Sequence, residues 1–229
     1  MGKISRRKFL YRIASLSFFY PLSAVIASSG EMKPGNNDRF PVTIAVLQAA
    51  YEAERMASEY YIVYSRKAVE EKYPNIAYLF SAFSLSEKIH AENYKKILNS
   101  LSSRLEEPEF EISISDTKAN LIKASEGELN KIKITYPDFL AKLKKESHDQ
   151  AVISCMYSWK SHQQHKRKIT EVRKYSPLFF GHVAKKIEGA KYDFYVCKIC
   201  GSTIDEAPQT PCDICNHPNL HYHNVLKPA

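Results

Sequence analysis

The sequence predicts an all-α four-helix bundle, with a long crossover between its second and third helices, followed by a small C-terminal β/loop domain. Two observations predict the bundle: four long segments place apolar residues at helical spacing, and a polar stretch, EEPEFEISIS, separates the second from the third. A third predicts the appendage, because four of the five cysteines fall after Gly189 in two Cys-x-x-Cys pairs. The length agrees, since 229 residues hold one domain of ordinary size and a small one. With 44% apolar and 25% charged residues, the composition is that of a soluble globular chain. Only seven glycines are present and neither GxGxxG nor GxxxxGKS/T occurs, which argues against a phosphate-cradling nucleotide site.

Residues 1–27 read as an export signal. Ser5-Arg6-Arg7-Lys8-Phe9-Leu10 is similar to the twin-arginine consensus. The apolar stretch from Ile13 to Ala27 is about 15 residues, interrupted by Ser15, Ser17, Pro21 and Ser23, where a bilayer span needs about 20. Val25-Ile26-Ala27 offers a cleavage site before Ser28. Export by the twin-arginine pathway to a periplasmic or otherwise extracytoplasmic location is therefore expected. The alternative is an uncleaved anchor or a buried N-terminal helix, and membrane association is expected only if the signal stays attached. Residues 28–40 are polar and turn-forming and read as a linker. Five of the eight net positive charges belong to residues 1–27, which leaves no basic stripe for nucleic acid.

The bundle is expected over 41–188. Helix 1, about 42–72, follows Pro41, a good first-turn residue, and stops before Pro74. Leu47, Glu54, Tyr61 and Ala68 recur every seven residues and share a face, so Glu54 interrupts an apolar stripe. A buried ionised Glu needs a partner or a metal; otherwise Glu54 sits at the stripe's edge, solvated like Glu52 and Glu59. Helix 2, about 75–101, carries Ile76, Leu79, Phe80, Phe83, Leu85 and Ile89, with Glu87 and His90 stacked on one face. Helix 3 starts at a Ser115 or Asp116 cap. It carries Leu121, Ile122, Ala124, Leu129, Ile132 and Ile134 to a break at Tyr136-Pro137, with Glu128 inside the run. After a short helix, about 138–145, helix 4 spans about 149–174, where Ala151, Val152, Cys155, Met156 and Trp159 are followed on the same side by His162 and His165. A Glu from each of two helices and a Glu-x-x-His from each of two others make a bundle metal site. Glu54, Glu128, Glu87-x-x-His90 and His162-x-x-His165 nearly meet that pattern. Paired His at helical spacing serve Fe, Zn, Cu or Ni; the alternative is a basic surface segment, since Lys166-Arg167-Lys168 follows.

The C-terminal domain, 189–229, holds Cys197-x-x-Cys200 and, eleven residues on, Cys212-x-x-Cys215. Two such knuckles facing one another make a tetrahedral four-thiolate site for Fe or Zn. About forty residues bury little core, so the metal is expected to supply much of the folding free energy. The alternative is two disulfides, which an oxidising compartment permits. A route that exports folded protein favours metal, bound before export. Cys155, alone on helix 4, reads as a packing residue.

The order of these parts resembles the rubrerythrins, non-haem iron peroxidases with a ferritin-like di-iron bundle and a C-terminal rubredoxin-like domain. The resemblance covers about 41–226. It rests on Ala50-Tyr51-Glu52-Ala53-Glu54 with Tyr61, on Glu87-Lys88-Ile89-His90-Ala91, on Gly127-Glu128 with Tyr136-Pro137-Asp138-Phe139, and on the paired Cys-x-x-Cys. It implies that Glu54, Glu87, His90, Glu128 and His165 are metal ligands, that Tyr61 and Tyr136 line the di-iron site, and that Glu87 is its central catalytic ligand. It also implies electron relay from a four-thiolate iron to the bundle, with peroxide or O2 as acceptor and a separate redox donor. A homodimer is expected on the same ground, placing one chain's four-cysteine centre near the other's bundle. The alternative is a non-catalytic electron-transfer or metal-binding protein.

Three positions depart from the family pattern. Lys131 stands where helix 3 carries a second Glu, His162 where helix 4 carries the Glu of Glu-x-x-His, and Asn216 where Gly follows the last Cys. The family's helix-4 Glu bridges both irons, which a neutral imidazole with one lone pair cannot do. Three carboxylates and three imidazoles replace five and two, leaving Glu87 as the remaining candidate bridge. An altered dinuclear site, a mononuclear site or none are the open outcomes, and six donors kept in place favour one that binds metal.

Overall fold

The computed structural model describes residues 39–103, 105, 108–109, 111–173, 185, 187–189, 191 and 193–228, with backbone alone over 170–173. The expected export signal and the linker up to residue 38 lie outside the described residues.

Helices α1 (Pro41–Glu70) and α2 (Pro74–Ser100) form an antiparallel hairpin. Lys72 turns the corner at φ +64°, and Tyr73 N donates to Ala68 O at 2.8 Å, closing α1. Neither helix has a side-chain cap from its own N-cap residue. Distant glutamates serve instead: Glu146 accepts from Val42 N and Thr43 N (3.0 and 2.7 Å), and Glu188 from Asn75 N and Ile76 N (3.0 Å each to the nearer oxygen). Helix α3 (Thr117–Asn130) starts at Asp116, whose side chain accepts from Ala119 N at 2.7 Å, as the cap residues predict.

The expected break at Tyr136-Pro137 does not occur. The chain runs from α3 through a π-turn, Lys131–Thr135, directly into α4 (Tyr136–Leu143), with Tyr136 N donating to Lys131 O. Pro137 falls in the first turn of α4 and, lacking an N–H, cannot follow Tyr136 by donating to Ile132 O. The Trp159 indole donates to the Ile132 carbonyl at 3.0 Å, satisfying an acceptor in the wider turn. Ile122 and Ile134, expected on the apolar face, point to solvent. Helix α5 (Asp149–Arg173) completes the ferritin-like bundle.

Two apolar clusters fill the bundle, one around Tyr61, Phe80, Phe83 and Leu121, the other around Leu47, Tyr51, Tyr94, Leu98 and Tyr136. Along α1, α2, α3 and α5 the buried glutamates and histidines lie between them. Hydrophobic burial above and below thus fixes the height of a single polar layer.

The C-terminal module is a three-stranded antiparallel sheet, ordered β2-β1-β3, from β1 (Tyr195–Cys197), β2 (Thr203–Ile204) and β3 (Tyr222–Asn224). Asn216 adopts φ +58°, the left-handed conformation that Asn tolerates best after Gly, so its departure from the family pattern keeps the turn. Phe194, Val196 and Val225 pack into the first bundle cluster. The Tyr78 hydroxyl ties the two parts, donating to Val225 O (2.8 Å) and accepting from Phe194 N (3.0 Å). No helix among the described residues is long and apolar enough to cross a membrane.

Candidate metal centres

The four cysteines converge as their spacing predicts. Cys197, Cys200, Cys212 and Cys215 place their sulfurs within 4.8 Å of one another, with Cys197–Cys215 at 3.8 Å and Cys200–Cys212 at 3.5 Å. A tetrahedron with metal–sulfur bonds of about 2.3 Å has edges of roughly 3.8 Å. The donors therefore fit one Fe or Zn ion. The knuckles are shaped by Gly201 N donating to Cys197 O (2.9 Å) and Asn216 N to Cys212 O (2.7 Å).

In the bundle, Glu54, Glu87, His90, Glu128, His162 and His165 are all brought together, each no more than 1% exposed. They form two overlapping donor groups: Glu54, Glu87, His90 and His162, and Glu87, Glu128, His162 and His165. His162 sits in the middle, its Nδ1 2.8 Å from Glu128 Oε2 and its Nε2 3.1 Å from Glu54 Oε1. The basic-surface alternative for the two histidines is thereby excluded. Tyr61 donates to Glu128 Oε1 at 2.7 Å and Tyr136 donates to Glu54 Oε1, so both tyrosines line the layer.

Lys131 enters the same layer. Its ammonium lies 2.6 Å from Glu54 Oε2 and 3.4 Å from Glu87 Oε1, with the side chain 14% exposed. The π-turn at Lys131–Thr135 begins at this residue. Burial alone would suppress charge here, yet the opposite charges outweigh it. Glu54, Glu87 and Glu128 are held below ordinary carboxylate values, helped by His162 and, for Glu54 and Glu87, by Lys131. Burial works against a charge on His162, but Glu87, Glu128 and Glu54 hold its pKa up to about 10. His165 is raised against the same burial by Glu128 and Glu87. The three buried carboxylates are thus matched by positive charge from Lys131 and from the raised histidines, His162 and His165. Tyr61 and Tyr136 are pushed well above the usual phenol range by burial and by Glu128 and Glu54 respectively.

The two centres touch within one chain. His90 lies between two acceptors, Glu87 Oε2 at 2.8 Å from Nδ1 and the Cys200 carbonyl at 3.1 Å from Nε2. Around it Asn93 donates to Ile199 O (2.8 Å), Ser86 and Ser161 to Gly201 O (2.7 and 2.8 Å), and Thr203 N to Gln164 Oε1 (3.0 Å). Sequence reasoning missed these docking residues. Their signal is positional: Ser86, Ser161 and Gln164 each directly precede a ligand candidate, Glu87, His162 and His165. Tyr94, also missed, donates to Ser158 Oγ at 2.7 Å and lies 3.2 Å from the Tyr136 hydroxyl.

Fold and donors together define a class, that of ferritin-like metal-binding bundles carrying a rubredoxin-like module. The chain belongs to the rubrerythrin family: the family model described as rubrerythrin matches residues 45–172. Rubrerythrin-2 of Clostridium acetobutylicum is 29% identical over 178 residues, covering 76% of this chain and 91% of that protein. Nigerythrin of Nitratidesulfovibrio vulgaris is 26% identical over 181 residues, covering 77% and 83%. The solved structure of fully reduced nigerythrin, described as all ferrous, superposes with a TM-score of 0.69 at 22% identity, covering 86% of this chain and 91% of that one.

Proposed function

We propose that the protein is a rubrerythrin-like non-haem iron oxidoreductase, in which the four-cysteine centre passes electrons to the carboxylate/histidine site, where peroxide is reduced or O2 reacts. One observation carries the reading: the His90 ring spans from Glu87 to the carbonyl of Cys200, a residue of the four-cysteine centre. Family membership supports it, as does nigerythrin, whose reduced state is all ferrous.

Iron held by the four thiolates supplies a one-electron couple. The chain's own residues do the rest. Gly201 lets the module approach His90, and the Ser86 and Ser161 hydroxyls fix its carbonyl. The raised pKa values keep Tyr61 and Tyr136 protonated at the carboxylates, so two hydroxyl protons are held at the site. Reducing peroxide to water would consume two electrons, hence two turns of that one-electron couple, and two protons from solvent, while the Tyr61 and Tyr136 hydroxyls remain hydrogen-bond donors to the carboxylates. The reading extends to a homodimer, carried by the resemblance alone, and to export through the twin-arginine route, carried by Arg6-Arg7 and the short apolar stretch after them. The second reading, a non-catalytic electron-transfer or metal-binding protein, is favoured by Lys131 inside the layer.

The test is anaerobic reduction of the four-cysteine iron followed by mixing with hydrogen peroxide. Reoxidation should return the red ferric-thiolate colour, and Glu87→Ala should slow it about 100-fold. Unchanged turnover in Glu87→Ala removes the bundle from the reaction, and no reoxidation in the unaltered chain supports the second reading.

A further inference from the structure

We propose that Lys131 stands in place of one metal ion, so that the bundle holds a single divalent ion between Glu87, Glu128, His162 and His165. The inference rests on the reading of the bundle as a metal site and departs from the two-metal arrangement that the family resemblance implies.

Both oxygens of Glu54 are already taken by donors of the protein. Oε1 accepts from the Tyr136 hydroxyl and faces His162 Nε2 at 3.1 Å, and Oε2 accepts from the Lys131 ammonium at 2.6 Å. The same ammonium reaches Glu87 Oε1 at 3.4 Å. It spans the two carboxylates as a metal ion between them would. A second ion there would meet a fixed positive charge and would have to strip Glu54 of its partners. His90 donates Nε2–H to the Cys200 carbonyl, and its Nδ1 faces Glu87 Oε2 at 2.8 Å within the group of Glu54, Glu87, His90 and His162 that the Lys131 ammonium enters.

The remaining donors are in the opposite condition. His165 Nδ1 is buried without a hydrogen-bond partner, 3.6 Å from both Glu87 Oε1 and Glu128 Oε2. The Thr203 hydroxyl donates to Gly201 O at 3.2 Å, so its oxygen accepts from His165 Nε2–H at 3.2 Å, and Nδ1 is left facing the two carboxylates, where an ion could take the place of its proton. His162 Nδ1 lies 2.8 Å from Glu128 Oε2 and 3.5 Å from Glu87 Oε1. With its Nε2–H kept on Glu54, Nδ1 would bind the ion in exchange for its proton, and Glu54 would be the carboxylate that orients a ligating histidine. These spacings bracket the roughly 3.3 Å edge of a tetrahedron with bonds of about 2.05 Å. Charge agrees: with the ring protons of His162 and His165 displaced by the ion, three carboxylates are cancelled by Lys131 and one divalent ion, whereas a second ion would leave a net charge of about +2 in a buried layer.

The test loads the full-length chain with ferrous iron under anaerobic conditions, removes the excess and oxidises it. The expected result is two irons per chain, one in each centre, and an electron paramagnetic resonance integral of two high-spin ferric ions. Three irons with one integrated spin, the coupled pair being silent, would overturn the proposal, as would a single iron. His165→Ala should lose the bundle iron and keep the red four-cysteine iron; two irons retained would overturn the assigned pocket. Lys131→Glu, with helicity confirmed by circular dichroism, should take up a third iron, and a folded variant that stays at two would overturn exclusion by Lys131. None of these measurements needs turnover, so two irons without peroxide reduction would reject the proposed function and leave this inference standing.

Discussion

A Cβ at residue 201 would overlap the His90 ring, and the backbone there takes φ +76°, a conformation costly for any other residue. Gly201 O meanwhile accepts from Ser86, Ser161 and Thr203. Gly201→Ala is therefore expected to lift the knuckle from the bundle and lengthen the His90–Cys200 contact. Rapid mixing of the reduced variant with peroxide should show electron delivery slowed more than ~10-fold, while the ferric-thiolate spectrum, set by the four cysteines, stays unchanged. At this scale the sequence revealed the ligand candidates, because helical periodicity alone puts Glu54, Glu87, Glu128 and His165 on inward faces. It did not reveal Gly201, which answers to a side chain more than a hundred positions away in the chain. Nor did it show where Lys131 ends, because a four-carbon side chain leaving a π-turn can reach places that residue spacing does not encode.

Helices α1 and α2 borrow their N-terminal caps from elsewhere in the chain, and at α1 this makes the helix end sensitive to acid. Slight burial opposes ionisation of Glu146, but the Thr43 and Val42 N–H groups outweigh it and hold its pKa below the ordinary 4.5. A carboxylate depressed on folding adds stability in full above its ordinary pKa, and that contribution is lost as the pH falls through the lower, folded value. Glu146→Ala should therefore cost about 1 kcal/mol at pH 7, seen as a lower thermal midpoint. The gap from the unaltered chain should narrow in melts at about pH 3.5. Element identities were legible from capping and apolar spacing, as Asp116 before α3 shows. The continuous path through Tyr136-Pro137 was not. A Pro after an aromatic residue reads as a stop, and only the wider turn, held by Trp159 on Ile132 O, lets the helix run on.

At the scale of the molecule, two apolar clusters sandwich the polar layer, and the four-cysteine module adds Phe194, Val196 and Val225 to one of them. The bundle and the paired knuckles could be read from the sequence because each has a local pattern. Their docking could not, because the contacts that hold it, Tyr78 to Val225 and Asn93 to Ile199, join segments that have no periodic relation. Since His90 and Cys200 belong to the same polypeptide, the proposed delivery of an electron between the centres would be a first-order event. Its rate constant should stay the same when the protein is diluted until any dimer dissociates, whereas delivery across a subunit boundary would fade with concentration. Stopped-flow traces of peroxide-driven reoxidation over a hundred-fold range of protein concentration would show which holds. A unimolecular path would let one chain, in a dilute compartment, complete the transfer without first meeting a second copy.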